Sequence, residues 1–297
     1  MVVLITTSGL VALMGGQTAA RDTLSPVAPA TSFLSSPYDS FRKLVYHRHL
    51  VFGLVQRTLR NRYRTAGLGY IWLVLEPLML AITYWFLFVM LAGNPDEMYP
   101  IWVLIGIIVW GTFGKSLSGS VTSISSNTQM INMAYFPRIV FPFSSTLSNI
   151  ITSLGSSLVL IPIIVYFDTP VTMHLLWVPL GIIMAGLMGG GFGLFFAPMN
   201  CKQRDVEHLF RFIVRAGFFF SPVMWTAEMA LERSSLGAMA LWNPMATPIT
   251  MVRHAIEGHT LELPSEVVFA SVSFLVACLI FGSMIFNKNE RKAVKYL

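Results

Sequence analysis

Long apolar blocks decide what this chain can fold into. Ile71–Leu91, Ile139–Phe167, Leu175–Pro198 and Val267–Phe286 each run with almost no charge, and a helix of roughly 20 apolar residues is what crosses the hydrocarbon layer of a bilayer, about 30 Å thick. Inside lipid every backbone N–H and C=O must find a partner within its own segment, so blocks of this length form helices. Only 11% of residues are charged and 55% are hydrophobic, against about 25% charge in a soluble domain, which excludes a large separate soluble domain. Two weaker blocks raise the expected count. Ile101–Gly114 is cut short by Lys115 and reaches full length only through the small-residue stretch Ser116–Ser126. Phe210–Trp225 carries Arg211 and Arg215 in its first half, as in a helix rising from a basic surface with long side chains snorkelling back to it. The predicted fold class is an all-α polytopic membrane protein with six transmembrane helices.

The 20 Lys and Arg sort sharply on that scheme. Eight precede the first span, two flank the second-to-third connection, four the fourth-to-fifth, and four follow the last span, leaving Arg233 and Arg253 on the other side. Basic residues concentrate on the cytoplasmic side, so both termini are expected there. The net charge of +6 then reflects topology and gives no reason to invoke nucleic acid.

Residues 1–36 stand apart. Met1–Ala20 is apolar and ends in small residues like a signal peptide, but no basic stretch precedes the apolar run, and a Pro/Ser/Ala-rich segment follows. Cleavage there would leave Arg42 to Arg64 outside, against the charge distribution, so a disordered extension is expected. Residues 37–66 follow as an amphipathic helix. At 100° per residue Val51, Leu54, Val55 and Leu59 share one side and Arg57, Arg60 and Arg64 the opposite one, as for a helix lying in the membrane interface. Arg62 projects near the apolar side and spoils the fit. A basic anchor to anionic lipid is the plainer alternative. The transmembrane domain is expected over 67–290 and a cytoplasmic tail over 291–297.

Catalysis finds little footing. The six histidines fall near span ends or in connections without metal-ligand spacing, and Cys201 and Cys278 lie far apart and read as packing residues. We therefore expect no catalytic, cofactor or metal residues. Gly111–Ser116 reads GTFGKS, but a phosphate-binding loop needs glycine where Val109 stands, so no nucleotide site is expected in this chain. Glu76, an acid inside a span directly before Pro77, is either a functional carboxyl or a kink position where proline frees a carbonyl. Gly186 with Gly190, and Gly189 with Gly193, form GxxxG pairs that let helices approach in lipid. The polar run Ser144–Ser157 is expected to bond between helices rather than to line a hydrated path. In the long outer connection Thr226–Glu266, Asn243 can cap and Pro244 can open a helix too short to span. That element is expected to be re-entrant or interfacial, with Trp242, Asn243, Pro244 and Arg253 as outer-gate candidates and a structural cap as the alternative.

Five motifs in one order resemble the permease subunits of ABC-2-type polysaccharide exporters: Thr58–Trp72 with Pro77, Phe136-Pro137-Arg138 followed by Pro142, Arg204-Asp205-Val206, Ser221-Pro222-Val223, and Asn243-Pro244 with Arg253. The resemblance covers about residues 40–290 and departs at Asn132–Tyr135, where the family often has a lysine. It implies a homodimer in the bacterial cytoplasmic membrane, joined to two cytoplasmic ATPase subunits that bind ATP and Mg. Together these export a polysaccharide attached to a polyprenyl-diphosphate lipid. A coupling helix seated on the ATPase is implied at about Ser123–Arg138, with contacts from Asn127, Gln129, Asn132, Tyr135, Phe136, Pro137 and Arg138 and with Arg204 and Asp205 beside it. Arg57, Arg60, Arg62, Tyr63 and Arg64 are implied at the cytoplasmic mouth, meeting the ATPase or drawing in the diphosphate by charge-assisted hydrogen bonds. The first and fifth spans line the path in that family. Tyr84, Trp85, Phe88, Phe218, Phe219, Phe220 and Trp225 are thus candidates to stack on sugar rings, with lipid-facing or belt positions as the alternative. Rival readings are an ABC-2 exporter of a small lipid or drug, a polytopic glycosyl- or acyltransferase, and a passive channel. The transferase requires a clustered polar site in the membrane, and the channel needs no coupling surface.

Overall fold

The computed structural model describes residues 36–64, 67–92, 98–133, 137–167, 172–226, 229 and 239–293. The expected extension, apart from Ser36, lies outside the described residues, as do Tyr135, Phe136, the side chain of Phe88 and the end of the expected tail. Eleven α-helices occur among the described residues: α1 (Ser36–Tyr46), α2 (Arg48–Tyr63), α3 (Trp72–Ala92), α4 (Tyr99–Thr122), α5 (Thr128–Met133), α6 (Val140–Ser156), α7 (Leu160–Tyr166), α8 (Trp177–Lys202), α9 (Asp205–Phe220), α10 (Ala246–Glu257) and α11 (Ser265–Ala293). Among the described residues, five stretches are long and apolar enough to cross a membrane: Gly69–Leu87, Tyr99–Thr122, Val140–Tyr166, Met173–Lys202 and Ser265–Glu290.

The span that looked weakest in sequence, α4, is the hub. Its apolar core is 72% buried inside the protein, against 11% for the Gly69–Leu87 stretch that holds most of α3. Ile101–Trp110 is apolar on every face, as a helix surrounded by others must be. Beyond it, small residues let neighbours in. Helix α8 meets α4 through Gly189 and Gly193, where an added Cβ would run into the backbone of Phe113 and Leu117. Gly186 and Gly190 face Ile150 and Thr146 of α6, and Gly191 lies against Cys278 of α11. The two GxxxG pairs thus serve α6 and α4, Gly191 beside them serves α11, and Ser120 Oγ donates to the Gly190 carbonyl at 3.0 Å. GTFGKS lies within α4, where no loop exists to cradle phosphate. Lys115, which interrupts the apolar run, is half exposed and pairs with Glu76 of α3 at 3.1 Å.

Three expectations about local structure change. The span Val140–Tyr166 is broken by a 3-10 turn at Ser157–Val159, because Pro162 at the start of α7 has no N–H for the preceding turn. Its polar run bonds mainly within its own helix. Ser144 donates to the Phe141 carbonyl, Ser148 to Ser144, Thr152 to Ser148 and Ser156 to Thr152, since a hydroxyl reaches the carbonyl one turn back at little cost. Asn149 is the member of the run that bonds across helices. Finally, the segment expected as a span over Phe210–Trp225 is helical from Asp205 to Phe220, 16 residues. That is about 24 Å at 1.5 Å per residue, short of the hydrocarbon layer. Pro222 sets the stop, since the residue before a proline is pushed to extended backbone and Ser221 sits at φ −94°, ψ 154°.

Helix α2 turns its apolar stripe toward α6. Val51, Leu54 and Val55 are buried against Val140 and Phe141 of α6, so the apolar stripe encodes a contact with protein. At the opposite end of the bundle, α10 is largely buried and stops at Gly258, whose φ of 79° suits a residue without Cβ.

Candidate functional site

Two adjoining cavities of about 310 Å³ each open where α2, the end of α4, and the beginnings of α6 and α9 converge. One is lined by Arg62, Lys115, Ser118, Asn149, Glu207 and Arg211. The other is lined by Arg57, Thr58, Asn61, Ser123, Asn127 and Ser144, and Gly119, Thr122 and Ser145 border both. The two lobes form one polar cleft.

Helical geometry puts the side chains there. Arg62 follows Val51 by 11 positions, about 20° round the helix at 100° per residue, so it points with the stripe that packs on α6. It donates to Asn149 Oδ1 at 3.2 and 3.3 Å, and Asn149 Nδ2 donates to the Lys115 carbonyl at 3.0 Å. Gly119 leaves the space open, since a Cβ there would press on Ser145 Oγ and Asn149 Nδ2. Arg57, Arg62, Lys115 and Arg211 supply positive charge. Glu207 answers Arg211 at 2.8 Å, and Glu76 answers Lys115 from outside the lobe. Four cations against the single lining carboxylate of Glu207 leave the cleft net positive, and a net positive cleft attracts anions.

The residues expected at the cytoplasmic mouth divide. Arg57 and Arg62 line the cleft, Arg60 and Arg64 are exposed away from it, and Tyr63 is buried with its ring 5.2 Å from Tyr70. Sequence reasoning missed Lys115, Asn149, Asn61 and Arg211 as partners in one site. The available signals were Arg62 on the wrong side of its helix and two basic interruptions of apolar spans.

In the segment expected to couple to an ATPase, Asn127 Nδ2 donates to the Ser123 carbonyl at 2.8 Å, while Gln129 and Asn132 are exposed on α5. Pro137 and Arg138 are half-buried and lead into α6, where the Phe141 N–H donates to the Arg138 carbonyl at 3.1 Å. Arg204 and Asp205 are exposed at the turn between α8 and α9. A residue not singled out in the sequence joins these parts. Asn200, fully buried on α8, donates to Ser125 Oγ at 3.2 Å and accepts from the Glu207 N–H at 3.1 Å. Replacing Asn200 with Leu leaves both groups without that partner and should destabilise the protein by about 1–3 kcal/mol. Thermal unfolding of the purified protein in detergent measures it, and an unchanged midpoint would show that the tie contributes nothing.

The aromatic candidates separate likewise. Tyr84 of α3 stacks on Phe218 of α9 at 5.1 Å and 29°, and Phe218 meets Phe219 edge-on at 5.4 Å. Trp85, Phe219 and Phe220 stand exposed, whereas Trp225 packs against Leu241, Ala246 and Val267. Among the outer-gate candidates, Trp242 is exposed and Pro244 half-buried. Asn243 donates to Ser221 Oγ at 2.9 Å and accepts from the Met245 N–H at 2.9 Å, capping the approach to α10. Arg253 is buried and donates to the carbonyls of Trp102, Val223 and Trp225 at 2.8–3.3 Å. Tyr99 adds a hydrogen bond to the Met224 carbonyl at 3.0 Å.

A multi-pass helical bundle with a cation-lined cleft at one end and a tightly tied turn at the other is built like the membrane subunit of a transporter. The chain belongs to the ABC-2 type transporter family, whose pattern it matches over residues 49–256. It is similar to the O-antigen export system permease protein RfbA of Klebsiella pneumoniae, 29% identical over 266 residues that cover 86% of this chain and 99% of the relative. The RfbA permease of Myxococcus xanthus is 26% identical over 252 residues, 84% and 96% of the two chains. The polysialic acid transport protein KpsM of Escherichia coli is 23% identical over 214 residues, 69% and 80%.

Proposed function

We propose that this chain is the membrane subunit of an exporter that moves a polyprenyl-diphosphate-linked polysaccharide across the bacterial cytoplasmic membrane, with ATP and Mg held by a separate ATPase subunit. The observation that carries the reading is the cation-lined cleft at the end of the bundle where basic residues gather. A lipid-linked diphosphate presents its charge at the membrane surface, within reach of Arg57 and Arg62, while its lipid stays in the bilayer. The names of the similar proteins, two O-antigen export permeases and a polysialic acid transport protein, support that choice of cargo.

In this reading two copies of the chain assemble with two cytoplasmic ATPases, and both termini are cytoplasmic. Helix α9 with the turn that follows it completes a sixth crossing, and α10 returns into the membrane from the outer side. The segment from Ser125 to Arg138, tied through Asn200 to the start of α9, receives the ATPase stroke, with Gln129, Asn132, Arg204 and Asp205 on its exposed surface. Trp85, Phe219 and Phe220, beside the Tyr84–Phe218 pair, offer flat faces to successive sugar rings.

Depletion of the protein in its host tests the proposal. Finished lipid-linked polymer should build up on the cytoplasmic face, rescued by the wild-type gene but not by one altered across Phe136 to Arg138. Normal export with a shortened or unmodified glycan would revive the transferase reading, and normal glycan with loss of a free lipid from the outer leaflet would favour the small-lipid exporter.

A further inference from the structure

A separate cavity of about 260 Å³ lies under α1, walled by α1, the start of α6, and the later parts of α8 and α11. It shares no lining residue with the polar cleft. Carbon surrounds it, from Phe41 and Leu44 of α1, Phe143 of α6, Leu187 of α8, and Leu279 and Ile280 of α11. Three hydroxyls reach the wall, and each is already spent. Ser40 Oγ donates to the Ser36 carbonyl at 2.8 Å and accepts from Asn287 Nδ2 at 2.6 Å. Thr146 Oγ1 donates to the Pro142 carbonyl at 2.9 Å, and Ser283 Oγ to the Ile280 carbonyl at 2.8 Å. A buried water needs about two to four polar partners, so a space like this stays dry. Left empty, it would deprive its walls of dispersion contacts. Hydrocarbon fits it.

The source of that hydrocarbon follows from where the cavity opens. Phe41 is 66% exposed, and Leu279 and Ile280 continue into Phe269, Val272 and Val276 on the exposed side of the membrane-crossing helix α11. Hydrogen bonds tie α1 to α11 through Ser36, Ser40 and Asn287, whereas Leu44 makes an apolar contact toward α6. A chain can enter on that side without breaking the polar tie. In proportion to the roughly 150 Å³ that admits a benzene, the space suits about ten carbons, which is part of one acyl chain. The lining runs over two turns of α6 and of α8, residues 139–146 and 187–194, or about 10 Å at 1.5 Å per residue. Such a depth from the start of α6 leaves a headgroup at the membrane surface. Charge selects the headgroup. Helix α1 and the residues just after it carry Arg42, Lys43 and Arg48 against one acid, Asp39. Arg42 follows Phe41 directly, is exposed, and makes no ion pair among the described residues. Cations in this position attract anionic lipids.

We propose that the cavity between α1, α6, α8 and α11 holds one acyl chain of an anionic phospholipid from the surrounding leaflet, with its headgroup beside Arg42. The lipid completes the packing of α1 on the bundle and does so whatever the cargo is.

Photolabelling tests it. The full-length protein in nanodiscs is irradiated with phosphatidylglycerol or phosphatidylcholine bearing a diazirine midway along one acyl chain, and adducts are mapped by peptide mass spectrometry. Phosphatidylglycerol should label residues 139–146, 187–194 and 279–283 more heavily than the exposed Met79, Ile82 and Phe86 of α3, and phosphatidylcholine should show no such preference. Arg42→Gln should lower the phosphatidylglycerol label in the cavity by about fivefold, the weight of one surface cation. Leu187→Trp and, from another wall, Leu279→Trp should each fill the space and remove the cavity label while that on α3 persists, with gel filtration checking that each variant is folded. Equal labelling of cavity and α3, or a cavity label indifferent to both tryptophans, would overturn the proposal. Displacement of the phospholipid label by excess geranylgeraniol would assign the cavity to an isoprenoid chain, and an unlabelled cavity would mean that protein closes it. Either result would also overturn it.

Discussion

Replacing Gly189 with leucine should abolish accumulation of folded protein. A Cβ at this position already meets the backbone of Phe113 and Leu117, and backbone cannot rotate away as a side chain can. The four added carbons would push α8 off α4, the best-buried of the membrane-length helices among the described residues, with a cost of about 3 kcal/mol or more. Gly53 supplies the contrast. It lies in α2 with nothing within 4 Å of an added Cβ, so Gly53→Ala should stabilise by about 0.5–1 kcal/mol through helix propensity. Thermal unfolding and gel filtration in detergent compare the two. A monodisperse Gly189→Leu with an unchanged midpoint would show that α4 and α8 do not pack as described.

Arg253→Met should be nearly as damaging, by a different route. The guanidinium donates to the carbonyls of Trp102, Val223 and Trp225 at once, and its loss takes a charged donor from a buried Val223 acceptor and from two part-buried ones. At about 1–3 kcal/mol for each unsatisfied group, the expected loss is about 3–5 kcal/mol after partial relaxation. Arg253→Lys should recover less than half, because one ammonium cannot span three carbonyls from the planar fork's positions. Hydrogen exchange should locate the damage in the turn 221–226 and in α10, with the cleft end protected as before. Uniform deprotection of all helices would instead mean that Arg253 acts on global stability.

The helical class was legible because a bilayer leaves few alternatives, and the apolar blocks at Ile71, Ile139, Leu175 and Val267 each mark a span found in the structure. The hierarchy among helices was not. Lys115 made α4 look weak, since hydropathy averages the charge over the window and cannot see that Glu76 meets it from another helix. The length of α9 escaped for a similar reason: hydrophobicity continues to Trp225, but Pro222 ends the helix before it. Arg62 carried the clearest unread signal. Its place on the apolar side of α2 counted as a defect of amphipathicity, and it becomes intelligible only once that side packs on α6 and Asn149 stands opposite. Asn200 gave no signal at all, since its two partners come from residues 75 and 7 positions away and nothing local marks a buried amide as a junction.

The attachment of α1 bears on how the chain is made. Asn287 of α11 donates to Ser36 Oγ and Ser40 Oγ at 2.6 Å each, and to the Ser36 carbonyl at 3.2 Å across a separation of 251 residues. At roughly 5–20 residues per second of synthesis, on the order of 10–50 s pass between the ribosome's delivery of Ser36 and that of Asn287. Throughout that interval α1 has Leu44 packed with residues of α2 and α6 but lacks its hydrogen-bonding partner, and Tyr38 and Phe41 stay exposed. Polar closure of this end of the molecule is therefore a late event, and a ribosome stalled before residue 287 would hold a bundle whose first helix still lacks this tie.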